Sequence, residues 1–399
     1  MKACSGITAR AASALGLAAC LTLVVASGGR AQQRDTARAR PFVEGGVYDR
    51  PYLTRLLGRT AIGGYAEVHA RYERADGVVE EAGFEARRFN LFSATQVSDY
   101  VRIGAELEFE EGGREIRLEY AAIDIAIHPA LTLRGGMLLS PLGRFNLAHD
   151  SPLNEFTDRP LVSTELLGVA LSEPGFGLLG QLPLGGRGRV TFEAYAVNGF
   201  HEGVIEADPA GTRVAAGRAN FEDENRSPAL VGRLAWSPDV TLEVGVSAHH
   251  GAYNVFRRDG AAVDRRHDVT IGVLDFDAEA WGFRLNGEAA RVRVGLPPSL
   301  ADVRASRQRG FYLELTRDLG RGLVTSMPAS TFTAKLRLEA VDFDAGYPGD
   351  SVRRLGAGLN FRPTRDTVLK LDYVAGRTRD RFENPAATAA FLFSIATYF

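Results

Sequence analysis

Hydrophobic and polar positions alternate along this chain with a period of two, in stretches of about ten residues that recur from residue 61 to the last residue. Val101, Ile103, Ala105, Leu107 and Phe109 interleave with Arg102, Gly104, Glu106 and Glu108. Val240, Leu242, Val244, Val246 and Ala248 interleave with Thr241, Glu243, Gly245, Ser247 and His249. The rhythm continues through 332–340 and 369–375 and closes the chain, with Phe391, Phe393, Ile395, Thr397 and Phe399 on one face and Leu392, Ser394, Ala396 and Tyr398 on the other. Successive side chains of a strand point to opposite sides, so period two predicts strands with unlike faces. Sixteen are predicted, at 61–72, 85–97, 100–109, 115–127, 130–138, 167–183, 188–198, 229–237, 239–250, 267–276, 279–293, 309–318, 331–343, 352–362, 366–377 and 389–399.

The connections add a second pattern. Tight turns at 98–99, 128–129, 184–188, 237–239, 276–279 and 362–366 alternate with longer charged segments at 73–84, 110–114, 139–165, 199–227, 251–266, 294–308, 344–351 and 379–388. The stretch 319–330 is long where a tight turn is expected. One short rim and one long rim, with an even strand number, describe an all-β, antiparallel, up-and-down transmembrane barrel. Alternation alone does not say which face is inside, because a soluble sandwich buries its apolar face. The amino terminus helps to decide. Lys2 and Arg10 precede an apolar run at 11–26, too short for a membrane span, followed by Gly29-Arg30-Ala31. That is the form of a cleaved export signal over 1–31. Leu17-Ala18-Ala19-Cys20 leaves a lipoprotein cleavage at Cys20 open as the alternative. Residues 32–60 are expected to form a short periplasmic or plug-like lead, and 61–399 the barrel. Export, repeated strands and the terminal Phe399 together put lipid on the apolar side, in the bacterial outer membrane. A terminal aromatic on an alternating strand is similar to the signal read by barrel-assembly machinery, which makes Phe399 the expected contact.

Charge and cysteine narrow the chemistry. Cys4 and Cys20 both lie in the export segment, so disulfides and cysteine-based metal sites are excluded for the mature chain. Without Lys2, Arg10 and Arg30, 44 basic residues face 49 acidic ones, a net of −5, with no nucleic-acid footprint. No cofactor or metal is implied. The predicted inward faces carry both signs: Glu67, Arg71, Arg88, Arg102, Arg117, Arg134, Lys335, Arg337, Arg362 and Lys370, with carboxylates such as Glu106, Glu108, Glu119, Glu288 and Asp372. So many charges on one face are expected to keep their hydration in a water-filled lumen, since dry burial is costly. The third long connection, 139–165, carries Arg144, His149, Asp150, Glu155, Asp158, Arg159 and Glu165, and Pro141, Pro152 and Pro160 stiffen it. It is expected to fold inward and set an electrostatic constriction; the competing reading is a solvated outer loop with incidental charges. Gly175-Phe176-Gly177-Leu178-Leu179-Gly180 matches a dinucleotide fingerprint but lacks the strand–helix context that motif needs. His149-Asp150-Ser151 holds triad residue types without the spatial convergence a triad requires. The acidic run 222–225 reads as a solvated loop, with calcium or lipopolysaccharide bridging as the alternative.

Three segments carry a family resemblance. Ala86-Arg87-Arg88-Phe89-Asn90-Leu91 through Asp99-Tyr100-Val101-Arg102, Leu133-Arg134-Gly135-Gly136-Met137 through Ser140-Pro141-Leu142-Gly143, and Tyr195-Ala196-Val197-Asn198-Gly199 resemble the phosphate-selective porin family of Gram-negative outer membranes. The resemblance covers roughly residues 60–200 and implies a sixteen-stranded, usually homotrimeric channel. It does not carry the phosphate label over, because family members that bind phosphate use clustered lysines and this chain has only Lys2, Lys335 and Lys370. Arg144 and Arg159 are the loop positions that match as anion contacts. The expected function is passive diffusion of small hydrophilic solutes, anionic and phosphate-like ones among them, and the expected surroundings are outer-membrane lipid and lipopolysaccharide. An outer-membrane enzyme of the lipid-hydrolase type and a structural barrel are the alternatives.

Overall fold

The computed structural model describes residues 46–47, 54–57 and 60–399 apart from 209–210. The expected export segment 1–31 and most of the expected lead 32–60 therefore lie outside the described residues. Sixteen antiparallel strands form the barrel: β1 (Thr60–Ala75), β2 (Val78–Gln96), β3 (Val101–Glu110), β4 (Glu115–His128), β5 (Leu131–Leu139), β6 (Ser172–Pro183), β7 (Arg189–Val197), β8 (Ala229–Asp239), β9 (Leu242–Ala252), β10 (Asp268–Ala280), β11 (Phe283–Val294), β12 (Arg307–Arg321), β13 (Thr331–Asp342), β14 (Ser351–Arg362), β15 (Thr367–Arg379) and β16 (Pro385–Tyr398). Each predicted strand has its counterpart. β16 pairs with β1 from Thr388↔Ala75 to Tyr398↔Tyr65, which closes the sheet. Phe399 completes the seam by exchanging two backbone hydrogen bonds with Gly64, at 3.2 and 3.0 Å. A short strand, Thr54–Leu57, adds antiparallel to the start of β1.

Closure leaves no sheet edge unpaired, which lets strands sit in lipid. The outward face is apolar and exposed, as at Leu107, Leu234, Leu338, Leu371, Phe391 and Phe393. No helix among the described residues is long and apolar enough to cross a membrane; the strands do so. The apolar girdle on a closed sixteen-stranded sheet places the chain in the bacterial outer membrane.

Among the boundaries that differ from the sequence expectation, three change the picture. The segment 73–84 is not a loop: β1 and β2 run on to a two-residue turn at Asp76-Gly77, where φ values of 48° and 85° suit Asp and Gly. The strand expected at 167–183 begins only at Ser172, because Val162–Leu167 forms a helical turn that ends at Gly168 with φ 74°. β12 continues to Arg321, which shortens the long connection on the tight rim to 322–330.

The interior is not uniformly polar. Toward the long-loop rim of β7 to β13, the inward positions are Val197, Val231, Val269, Ile271, Val273, Ala290, Val292, Val294 and Val341. They pack against Leu138, Leu142, Leu161, Val162, Leu166 and Leu167, and against Phe200, Val204, Ile205 and Val214 of the connection between β7 and β8. Burying each such side chain contributes about 1.5–3 kcal/mol. This arc of the barrel therefore carries a packed apolar core inside its wall.

Candidate functional site

Residues 140–171 build the site by folding against the inner wall. Asn146 staples the two ends of the segment: its Nδ2 donates to Ser140 O (2.7 Å) and Leu171 O (3.0 Å), while its Oδ1 accepts from Leu171 N (2.8 Å). Gly143 has φ 80°, and a Cβ there would lie 2.8 Å from the Glu288 carboxylate. Its N–H donates to Ser247 Oγ (2.9 Å), and the next turn gives Phe145 N–H to Glu288 Oε1 (2.6 Å). The chain is thus turned inward from its first residues.

The opposite wall then takes hold of it. Lys370 Nζ donates to Ser151 O (2.8 Å) and Phe156 O (3.3 Å), and Lys335 Nζ donates to Glu155 O (2.5 Å). Arg337 forks onto Glu314 (2.9 and 2.6 Å) and spends its remaining nitrogen on Asp158 O (2.7 Å). Arg362 reaches Pro152 O (2.8 Å), and Thr157 N–H donates to Asp372 (2.8 Å). Phe156, 2% exposed, lies beneath two cations, with Lys335 Nζ 4.7 Å and the Arg337 guanidinium 4.3 Å from its ring centre. Such stacking contributes about 0.5–2 kcal/mol per cation.

The seven loop residues singled out by sequence are placed as follows. Arg144 faces Asp277 (3.3 Å) and Glu243 (3.9 Å). His149 meets Glu119 (2.7 Å) and Asn146 O (2.9 Å), and Asp150 accepts from the Tyr398 hydroxyl (2.9 Å). Glu155 accepts from Asn360 (2.5 Å) and Arg362 (3.2 Å), Asp158 pairs with Arg71, and Arg159 lies 3.9 Å from Glu108. Glu165 is the exception: it is exposed on the helical turn and accepts from the Thr164 hydroxyl (3.4 Å) within the loop. Glu155 is half-buried, and that desolvation works to raise its pKa, but the Arg362 and Lys335 cations hold its carboxyl below the usual range.

On the wall, Glu67 joins Arg88 (3.0 Å), His69 (2.8 Å) and the Ser151 hydroxyl (2.6 Å). Arg88 also meets Glu108 and Glu110, Arg134 forks onto Asp124, Arg102 pairs with Asp124, and Arg117 pairs with Glu115 while half-exposed. The expectation of hydrated wall charges needs correction. The side chains of Lys335, Lys370 and Asp372 are 0% exposed and that of Glu67 is 1% exposed. Loop carbonyls, hydroxyls and opposite charges take the place of water, the condition under which buried charge is tolerable.

Sequence reasoning missed Asn146, Phe156, Asn360 and Tyr312. An aromatic at 156 within a polar, proline-rich connection was the one available signal; nothing in the pattern marks Asn146. A cavity of about 110 Å³ remains between the loop and the wall, lined by Arg144, Phe145, Ala148, Leu153, Asn154, Glu155 and Pro160 on one side and Arg284, Asn286, Tyr312, Glu314 and Arg337 on the other.

The decoys resolve structurally. Gly175 and Gly177 lie in β6, where a Cβ at 175 would meet Val197 at 2.7 Å and one at 177 the Tyr195 ring at 2.6 Å, so both glycines make room for side chains of the neighbouring strand. Ser151 donates to Glu67 while His149 is held by Glu119, so these two triad residue types have separate partners. Among the described residues no group of three or more His, Cys, Asp or Glu is placed to hold a metal ion.

A closed sixteen-stranded barrel with a long connection packed inside it is a porin-type outer-membrane fold. Comparison with solved structures supports that class. The chain is similar to the outer membrane channel DcaP of Acinetobacter baumannii (12% identity, TM-score 0.55, covering 85% of this chain and 97% of that one). It is also similar to OmpF of Salmonella typhi, solved in complex with daunomycin (11%, TM-score 0.53, 85% and 98%), and to a loop-L8 deletion mutant of OmpT, an outer membrane protein of Vibrio cholerae (8%, TM-score 0.53, 86% and 100%). In sequence it is 26% identical over 357 residues to an uncharacterized protein of Aquifex aeolicus (strain VF5), covering 83% of this chain and 78% of that one. No protein-family profile matches the chain.

Proposed function

We propose that the chain is a porin-type diffusion channel for small hydrophilic solutes, anionic ones included, with residues 140–171 as its constriction. The observation that carries this is the docking of that segment across the lumen, with a mixed-charge cavity left beside it. Three arginines, Arg144, Arg284 and Arg337, line the cavity against two carboxylates, Glu155 and Glu314, which favours passage of anions and zwitterions over cations. The phosphate-selective resemblance contributes the fold and the homotrimer to this reading. Arg144 and Arg159 already face carboxylates, so they attract anions by field rather than as a bare phosphate clamp. Residues 1–31 serve as the export signal, and Phe399, stacked on Phe89 at 5.4 Å at the barrel seam, is the contact for assembly machinery. Purified, heat-modifiable protein in planar bilayers tests the channel: stable conductance with an anion-biased reversal potential in asymmetric salt is expected. Absence of conductance from folded protein refutes it. The hydrolase alternative gains no support from Ser151 and His149, which are engaged separately.

A further inference from the structure

The barrel's outer surface carries a concentration of arginines on two pairs of strands. On β11 and β12, near the long-loop rim, Arg291 lies directly opposite Arg309, and Arg293 directly opposite Arg307. On β14 and β15, Arg353 lies directly opposite Arg377. All six are exposed, and the buried neighbours Val292, Val294 and Gln308 show the reason on β11 and β12: the alternate residues point into the interior, which sends these arginines outward. The next outward residues are apolar, Phe311 and Leu313 on β12 and Leu355 and Leu359 on β14. The arginines therefore sit at the upper border of the lipid-facing band.

Like charges directly opposite across antiparallel strands are destabilising, because their side chains start only about 5 Å apart. Three such pairs in one patch favour an anion that would relieve them. Asp342, on β13 between the two groups, supplies one to Arg309 at 2.8 Å. No ion pair or side-chain hydrogen bond among the described residues engages the side chains of Arg291, Arg293, Arg307, Arg353 or Arg377. Strands are about 4.8 Å apart, so β11 to β15 spread this charge over about 19 Å, wider than any single small ion. The rim that bears it is the one with the long connections, which faces the outer leaflet.

We infer that this arginine patch on β11–β12 and β14–β15 binds the phosphate groups of an anionic, phosphate-bearing lipid of the outer leaflet. The guanidinium fork matches phosphate in geometry and charge, and basic residues at a membrane surface attract anionic lipid strongly. The inference rests on the outer-membrane location and not on the channel reading, so a barrel that fails to conduct leaves it standing.

Full-length barrel in neutral detergent, titrated with diphosphorylated lipid A, tests it by native mass spectrometry and by thermal melting. Two double variants, Arg291→Gln with Arg293→Gln, and Arg353→Gln with Arg377→Gln, remove charge without touching the interior. The expected result is binding weakened on the order of tenfold or more by each double variant. A sign reversal accompanies it. Without the lipid the variants melt at or above the parent temperature, since like-charge contacts are relieved. With the lipid the parent gains more than they do. Unchanged affinity in both variants overturns the inference, as does equal binding of dephosphorylated lipid A. An equal melting shift from inorganic phosphate at matched phosphate concentration overturns the lipid assignment. A change of oligomeric state in the variants, without a change in lipid binding, makes a second copy of the chain the occupant instead.

Discussion

Replacing Phe156 by Ala removes the one aromatic that pins the tip of the inward segment. The ring is 2% exposed, it lies under Lys335 and Arg337 at 4.7 and 4.3 Å, and it packs on Gly356. Truncating a buried Phe costs about 3–5 kcal/mol in a well-packed site. The backbone anchors from Lys370 and Lys335 survive the change, so the lower part of that range applies to docking of 151–160. Three kcal/mol shifts the ratio of docked to released loop by roughly a hundredfold. A released state too rare to register in the parent then becomes visible within a single-channel record. The barrel itself should stand, because its sixteen ladders do not include Phe156. Single-channel recording in planar bilayers is the assay, with heat-modifiable migration as the check on folding. The variant should show larger mean conductance and strong open-channel fluctuations. Phe156→Leu keeps most of the burial and loses the cation stacking, so it should fall between parent and Ala. Parent-like conductance and noise from a folded Phe156→Ala barrel would mean that the segment does not limit the passage.

Three further outcomes follow from the same geometry. Arg144→Glu puts a carboxylate beside Asp277, Glu243 and Glu288 and should move the reversal potential toward cation preference, whereas Arg117→Glu, half-exposed and outside the cavity, should change it less; equal shifts would detach selectivity from the cavity. Deleting Phe399 removes two backbone hydrogen bonds to Gly64 and the stack on Phe89, and should lower the heat-modifiable fraction recovered in membranes; full recovery would show that the seam closes without it. Because Glu155 is held below its usual range by Arg362 and Lys335, its contribution to loop docking is complete above the unfolded carboxyl value of about 4.3 and is lost as pH falls through its lower folded value. Current noise should therefore rise on acidification below about pH 4, and Glu155→Gln should flatten that rise.

Much of the barrel was legible because period two survives wherever one face meets lipid and the other meets charge. Lys335, Arg337 and Glu339 alternate with Leu336 and Leu338 and face inward as read. The two-residue turn at 76–77 was missed because Val78 to Phe84 carries little alternation, although Asp76-Gly77 is a strong hairpin signal. The docking of residues 140–171 was legible in position and not in mechanism. Its visible charges are held largely by the wall, but much of the wall's grip falls on backbone carbonyls at 151, 152, 155, 156 and 158, which any residue can offer and no sequence pattern marks.

The deeper illegibility lies in β10 and β11. Along Val269-Thr270-Ile271-Gly272-Val273 the apolar residues point inward, and from Leu274 and Phe276 onward they point outward. The strand has not slipped; the polarity of its two faces exchanges midway, and two adjacent apolar residues, Val273 and Leu274, mark the exchange. β11 shows the same inversion, with Val292 and Val294 inward and Arg291 and Arg293 outward. A rule that sends every apolar residue to lipid misplaces both stretches. The physical cause is that residues 140–171 and the connection between β7 and β8 bring their own leucines, valines and isoleucines into the barrel, so the upper interior of this arc needs an apolar wall. One inversion thus has two consequences: it gives the inward segment a dry surface to pack on, and it turns an arginine-rich surface toward the membrane's outer border.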